Sequence, residues 1–112
     1  MEPYIYRAKV EKVVDGDTIE VTIDLGFLLT TRRRLRLLRV NTAEIHAHDA
    51  DLRQKASKAK ECMTELLTGK DILIRTEKAD SFGRFLAEVW LGDMNVNDWL
   101  LSEGLAVPFK RN

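Results

Sequence analysis

Asp15 and Asp17 flank a glycine, Glu44 follows a strand-like run, and Arg36 and Arg84 stand where local structure gives no reason for a cation. Carboxylates supply the hard oxygens that a divalent cation takes. A guanidinium supplies a planar fork that matches the paired oxygens of a phosphate. Such a set suits a divalent cation, a water nucleophile and a phosphodiester. Asp17 is the stronger ligand candidate of the acidic pair. Asp15-Gly16 already satisfies a hairpin turn, Asp17 is not needed by that turn, and Asp is disfavoured at a strand start. Asp15 is then a turn residue or an outer partner of the site.

Arg36 lies in Leu35-Arg36-Leu37-Leu38-Arg39-Val40. Both faces of a strand with this sequence are apolar, so Arg36 is expected to be partly buried, and a buried guanidinium needs an anion. That anion is either a protein carboxylate or a substrate phosphate. Glu44 is a solvated loop glutamate unless a metal-bound water is in reach, in which case it is a general-base candidate. Arg84 follows Gly83 and either pairs with Glu77 or Glu88 on the sheet or meets developing phosphoryl charge. His46 and His48 flank Ala47; no cysteine or third histidine completes a transition-metal set, so a solvated loop is expected.

The elements that must hold these groups are mostly strands. Alternation marks a strand over residues 4–14, with Tyr4, Tyr6, Ala8 and Val10 on one face, and a second from Thr18 to Leu25. Gly26 to Thr31 reads as a connection. Its Phe27-Leu28-Leu29 is a contact with a partner or a tip folded back over the barrel. A third strand is expected from Arg32 to Val40, then a loop from Asn41 to Asp49. Leu52, Ala56, Ala59, Met63, Leu66 and Leu67 recur at helical spacing, giving a helix over residues 51–68 that Gly69 stops. Ile72, Leu73 and Ile74 mark a fourth strand, which the turn Asp80-Ser81-Phe82-Gly83 returns into a fifth. Asn97 is the expected N-cap of a short helix ending before Gly104, and Pro108 begins a tail. Five strands with one long and one short helix give an α+β, mainly β architecture. The expected fold is a five-stranded OB-fold barrel, curled without parallel crossovers.

Composition narrows the class. The chain has 112 residues, 45% apolar and 32% charged, which is expected to form one domain over residues 1–112. Lys plus Arg and Asp plus Glu both total 18, which argues against a protein that coats DNA through a basic surplus. No apolar run approaches a membrane span, so no membrane partner is expected. Met1-Glu2-Pro3 opens directly into strand-like sequence, giving an expected cytoplasmic location, or a secreted one if a leader has been removed. Cys62 is a lone cysteine on the helix and reads as a small core residue.

Asp15-Gly16-Asp17-Thr18, Arg36 through Glu44 and Asp80 through Arg84, in this order and followed by Asn97…Gly104-Leu105-Ala106, resemble the staphylococcal nuclease family. The resemblance runs from about Ala8 to Ala106. It implies an OB-fold and calcium-dependent hydrolysis of single-stranded DNA and RNA that leaves 3′-phosphate products; a monomer is expected, with magnesium or manganese as alternative ions. By position it implies Asp17, Asn41 and the carbonyl of Thr42 as metal ligands, Glu44 as general base, and Arg36 and Arg84 as the phosphate-binding pair. The chain departs from the family pattern at Asn41, where aspartate is usual, and at Ala43, where proline is usual. Ser81 and Phe82 replace lysine and tyrosine. The alternative function is a catalytically silent OB-type module that binds nucleic acid or protein, and the amide at Asn41 favours it.

Overall fold

Alternating apolar and polar side chains drive the first half of the chain into three consecutive antiparallel strands: β1 (Ile5–Asp15), β2 (Thr18–Gly26) and β3 (Leu29–Leu37). The computed structural model describes residues 4–42, 49–79 and 83–109, and for 78 and 79 the backbone alone. A two-residue segment, β4 (Val40–Asn41), precedes the long helix α1 (Ala50–Leu67). Two longer strands follow, β5 (Asp71–Ala79) and β6 (Phe85–Leu91). The chain then forms β7 (Met94–Asn95), the short helix α2 (Val96–Ser102) and β8 (Val107–Pro108).

The five long strands close on themselves. β1 pairs with both β2 and β5, β5 pairs with β6, and β6 returns to β3. This last pairing is parallel, setting Leu35, Arg36 and Leu37 in register with Phe85, Leu86 and Ala87. The result is a closed five-stranded barrel with two helices, an OB-like α+β fold. The parallel closure departs from an all-antiparallel expectation. α1 and β5 supply the long crossover that a parallel pair needs.

The interior is filled by Val10, Ile19, Val21, Leu35, Ile74 and Val89, closed at one side by Met63 and Leu67 of α1. In β1 a register shift between Val10 and Lys12 changes the alternation, so that Val13, not Lys12, continues the buried face begun by Ala8 and Val10. α1 starts at Asp49, whose carboxylate accepts the Asp51 and Leu52 amides at 2.8 and 3.4 Å. Its inward face is Ala56, Ala59, Met63 and Leu67, whereas Leu52 is exposed despite fitting the helical spacing. Cys62 is half-buried rather than a core residue.

Two expected boundaries move. Strand three ends at Leu37, because Leu38-Arg39 forms a turn with Arg39 at φ 68°. The expected connection over residues 26–31 shrinks to Phe27-Leu28, and its tip projects into solvent instead of folding back. The tail is also organised, since β8 pairs with β4. The turn expected over residues 80–83 lies largely outside the described residues.

One glycine is needed for close approach. A Cβ at Gly16 would lie 2.8 Å from the Ala59 Cβ and 2.9 Å from the Thr42 Cγ2. The β1–β2 turn therefore presses directly on α1 and on the segment after β4. Gly16→Ala is expected to cost about 1–3 kcal/mol through overpacking, read as a lower urea midpoint, with partial recovery in Gly16→Ala/Ala59→Gly. An unchanged midpoint in the single variant would contradict this contact.

Candidate active site

The barrel closure brings together chain segments that are far apart in sequence. In the β2–β3 ladder Thr18 faces Arg36, and in the parallel β3–β6 ladder Arg36 faces Leu86. Arg84, just before β6, therefore arrives beside the start of β2. Asp17 does belong to the turn, because Asp15 pairs with Thr18 and leaves Gly16 and Asp17 as its central residues. That corrects the expectation that the turn has no use for it. The turn aims the Asp17 carboxylate inward, where it is 12% exposed.

Asp17 is held on both oxygens. Its Oδ1 accepts the Thr18 hydroxyl at 3.1 Å, and its Oδ2 accepts the Thr42 amide at 3.1 Å. The Arg36 Nη2 lies 3.5 Å from Oδ2. The Arg84 Nη1 donates to the Thr18 hydroxyl oxygen at 3.3 Å, so a hydrogen-bonded chain runs from Arg84 through Thr18 to Asp17. Thr18 is buried and was not singled out from sequence. A threonine at a strand start is common, and only the fold shows that its hydroxyl joins two charged groups.

Arg36 is the centre of the cluster, with its side chain 11% exposed. Nη1 donates to the Leu37 and Val40 carbonyls at 2.7 and 2.8 Å, and Nη2 donates to the Asn41 Oδ1 at 3.2 Å. Phe109 covers the guanidinium at 5.7 Å from the ring centroid. Of the two partners expected for Arg36, the protein carboxylate is present as Asp17. The cation also clamps both sides of the Leu38-Arg39 turn, which delivers Asn41 and Thr42 to Asp17.

A second network holds that turn from behind. The Arg39 Nη2 and Nε donate to the two oxygens of the Glu88 carboxylate at 2.6 and 3.0 Å, and Nη1 donates to Asp98 at 2.9 Å. The hydrogen bond to Glu88 holds the Arg39 guanidinium above its ordinary pKa. Glu88 is thereby committed to Arg39, and Arg84 reaches Thr18 instead. Asn97 is not the cap of α2; Asn95 is, accepting the Asp98 amide at 2.8 Å. Asn97 is fully buried, accepts the Val89 amide and donates to the Leu38 and Ala87 carbonyls at 2.8 and 3.1 Å.

Asp17, Asn41 and Thr42 offer oxygen donors only, the chemistry of a hard cation. Asp17 and Asn41 each direct an oxygen at the same nitrogen of Arg36, which places these donors close together. The donor set fits a divalent cation, with Asp17 its one carboxylate among the described residues. Asp15 is half-buried beside the turn. Glu44, Ala43, His46 and His48 lie outside the described residues. Lys55 and Lys58 of α1 line a cleft with Asn41 and Thr42, placing cations beside the cluster.

Residues 34–112 match the family model described as staphylococcal nuclease homologue. The chain is 34% identical over 100 residues to a thermonuclease of Staphylococcus hyicus, covering 88% of this chain and 56% of that protein. It is 31% identical over 108 residues to an uncharacterized endonuclease of Escherichia coli, covering 94% and 62%. A prophage-derived endonuclease, YokF, of Bacillus subtilis is 31% identical over 100 residues, 87% of this chain and 32% of its own length. The chain thus spans about half the length of the thermonuclease it matches, 56%.

The Asn97 network yields a test of how the site is supported. Asn97→Ala leaves the buried Val89 amide and the Leu38 and Ala87 carbonyls without this partner. Buried unsatisfied groups cost about 1–3 kcal/mol each, so a large drop in the urea midpoint is expected. A surface-like loss below about 0.5 kcal/mol would show that this network does not hold the turn.

Proposed function

The chain belongs to the staphylococcal nuclease homologue family, and from that premise we propose that it is a metal-dependent nuclease cleaving phosphodiester bonds of single-stranded DNA or RNA. The observation that carries the proposal is the convergence of Asp17, Arg36, Asn41, Thr42 and Arg84 at the barrel closure. Asp17, Asn41 and the Thr42 carbonyl would hold calcium, with magnesium or manganese as alternatives. When bound, the ion supplies positive charge against the phosphate and lowers the pKa of water.

The protein's own groups do the rest. Arg36 is fixed by the Leu37 and Val40 carbonyls, so its positive charge is positioned before a phosphate arrives. Arg84 approaches from β6 and meets the same phosphate from another direction. Both guanidiniums stabilise the charge that gathers on the equatorial oxygens as water attacks. Glu44 takes the proton of the attacking water. Lys55 and Lys58, beside Asn41 and Thr42, contact the flanking phosphates of a longer strand.

Asn41 tunes this site. An amide oxygen ligates calcium with one charge fewer than a carboxylate, which weakens the hold on the ion. A carboxylate introduced here would face the Arg36 Nη2, now 3.2 Å from the amide oxygen, so its repulsion with Asp17 is offset by the guanidinium. Asn41 is also the feature that favours a silent binding module.

Cleavage of an end-labelled single strand in calcium, magnesium, manganese or chelator tests the proposal. Activity is expected with metal and absent with chelator, and Glu44→Gln should lose about 10²–10⁴-fold while still binding the strand. Asn41→Asp should tighten calcium binding and raise cleavage at limiting calcium. Strand binding without cleavage in every metal would establish the silent module instead. Equal cleavage by wild type and Glu44→Gln would remove Glu44 as the base.

A further inference from the structure

The tip of the β2–β3 hairpin is built against the preferences of its own turn. Gly26 pairs with Leu29, which leaves Phe27 and Leu28 as the central residues of a two-residue loop. Both have positive φ, 57° and 63°. A turn of this kind favours Asn-Gly or Gly-Gly, and a bulky residue at positive φ is strained. Both side chains are also fully exposed, Phe27 at 96% and Leu28 at 103%, with Leu25 and Leu29 exposed below them. Folding gains nothing from this choice. Strain combined with exposed apolar area points to a use outside the fold.

What stands behind the tip indicates the partner. Arg32, Arg33 and Arg34 follow on β3, all exposed. Successive residues of a strand point to opposite faces, so cations flank the hairpin on both sides. Arg32 is paired with Glu20 at 2.8 Å, and the exposed Asp24, which accepts the Gly26 amide, offsets one more cation, so Arg33 and Arg34 leave the local balance positive by one charge. The backbone of Arg33 and Arg34 lies roughly 13–17 Å behind Leu29 at strand rise, and arginine stems reach forward from there. An apolar apex followed at that depth by cations matches a bilayer surface, where apolar groups enter the acyl boundary and arginines meet headgroup phosphates. Stacking on a nucleic acid is less well served, because Leu25, Leu28 and Leu29 have no aromatic face.

We propose that the β2–β3 hairpin tip is a membrane-contact element that inserts Phe27 and Leu28 into the interface of an anionic bilayer, with Arg33 and Arg34 against the lipid phosphates. No helix among the described residues is long and apolar enough to cross a membrane, and this contact requires none. Thr18 and Gly26 are opposite ends of β2, roughly 25 Å apart at strand rise, so the docked tip leaves the candidate active site open.

The test is co-sedimentation of the full chain with vesicles of phosphatidylcholine alone and of an equal mixture with phosphatidylglycerol, at low and high salt. The informative variant is Phe27→Asn/Leu28→Gly, which installs the residues the turn prefers and is expected to keep or raise the urea midpoint. Wild type should bind the anionic vesicles, more strongly at low salt, and the variant should lose roughly tenfold or more in partitioning. Arg33→Glu/Arg34→Glu should lose the preference for anionic lipid while keeping the fold. Absence of binding by wild type at low salt, or equal binding by the Asn-Gly variant, would overturn the proposal. So would a tip variant that abolished self-association or strand binding while vesicle binding stayed unchanged.

Discussion

A single guanidinium ties the barrel to the site. Arg36 emerges from a strand whose neighbours, Leu35 and Leu37, are buried in the core, so its Cα position is set by the interior packing. Its side chain then spends its donors on the Leu37 and Val40 carbonyls and the Asn41 amide oxygen, with the Asp17 carboxylate at 3.5 Å. A buried cation is costly without partners. Here the partners are the groups of the candidate site, so satisfying the cation and organising that site are the same act.

The surrounding structure keeps that arrangement from relaxing. β4 is only Val40–Asn41 and would be a weak element alone. It is held by β8 on one side, by the Thr42 amide on Asp17, and by Asn97 and Arg39 behind the turn. Arg39 adopts a left-handed conformation, and its bonds to Glu88 and Asp98 oppose that strain. The β1–β2 turn is pressed against α1 at Gly16, which fixes where Asp17 can stand. Positional precision thus comes from packing and neutral hydrogen bonds as much as from charge.

The sequence made the barrel strands and the long helix legible because period-2 and helical alternation survive in Ile19 through Leu25 and in Ala56 through Leu67. It also made Arg36 and Arg84 stand out as cations that local structure does not explain, and Asp17 as an acid at a strand start, although Asp17 proves to be a central residue of the β1–β2 turn. Other features depend on contacts distant in sequence. Thr18 gains its role only when β6 brings Arg84 to it, and Asn97 only when α2 lies against β6 and the Leu38-Arg39 turn. The parallel β3–β6 pairing has no local signal. Asn97 shows the same limit in reverse: its residue type suits a cap, yet Asn95 two positions earlier performs that task and Asn97 is drawn into the interior.

The family relationship and the geometry meet at one cluster, in which Asp17 is the one carboxylate of the oxygen-donor set among the described residues. The central physical claim is that the planar Arg36 fork positions the Asn41-Thr42 segment on Asp17. Native-state hydrogen exchange of the Thr42 amide, which bonds to Asp17 at 3.1 Å, reads this directly in wild type and Arg36→Lys. Lysine keeps the charge but cannot reproduce the fork. Exchange is expected to be faster by about tenfold or more in Arg36→Lys, with the barrel amides far less affected. Equal protection of the Thr42 amide in the two proteins would contradict it.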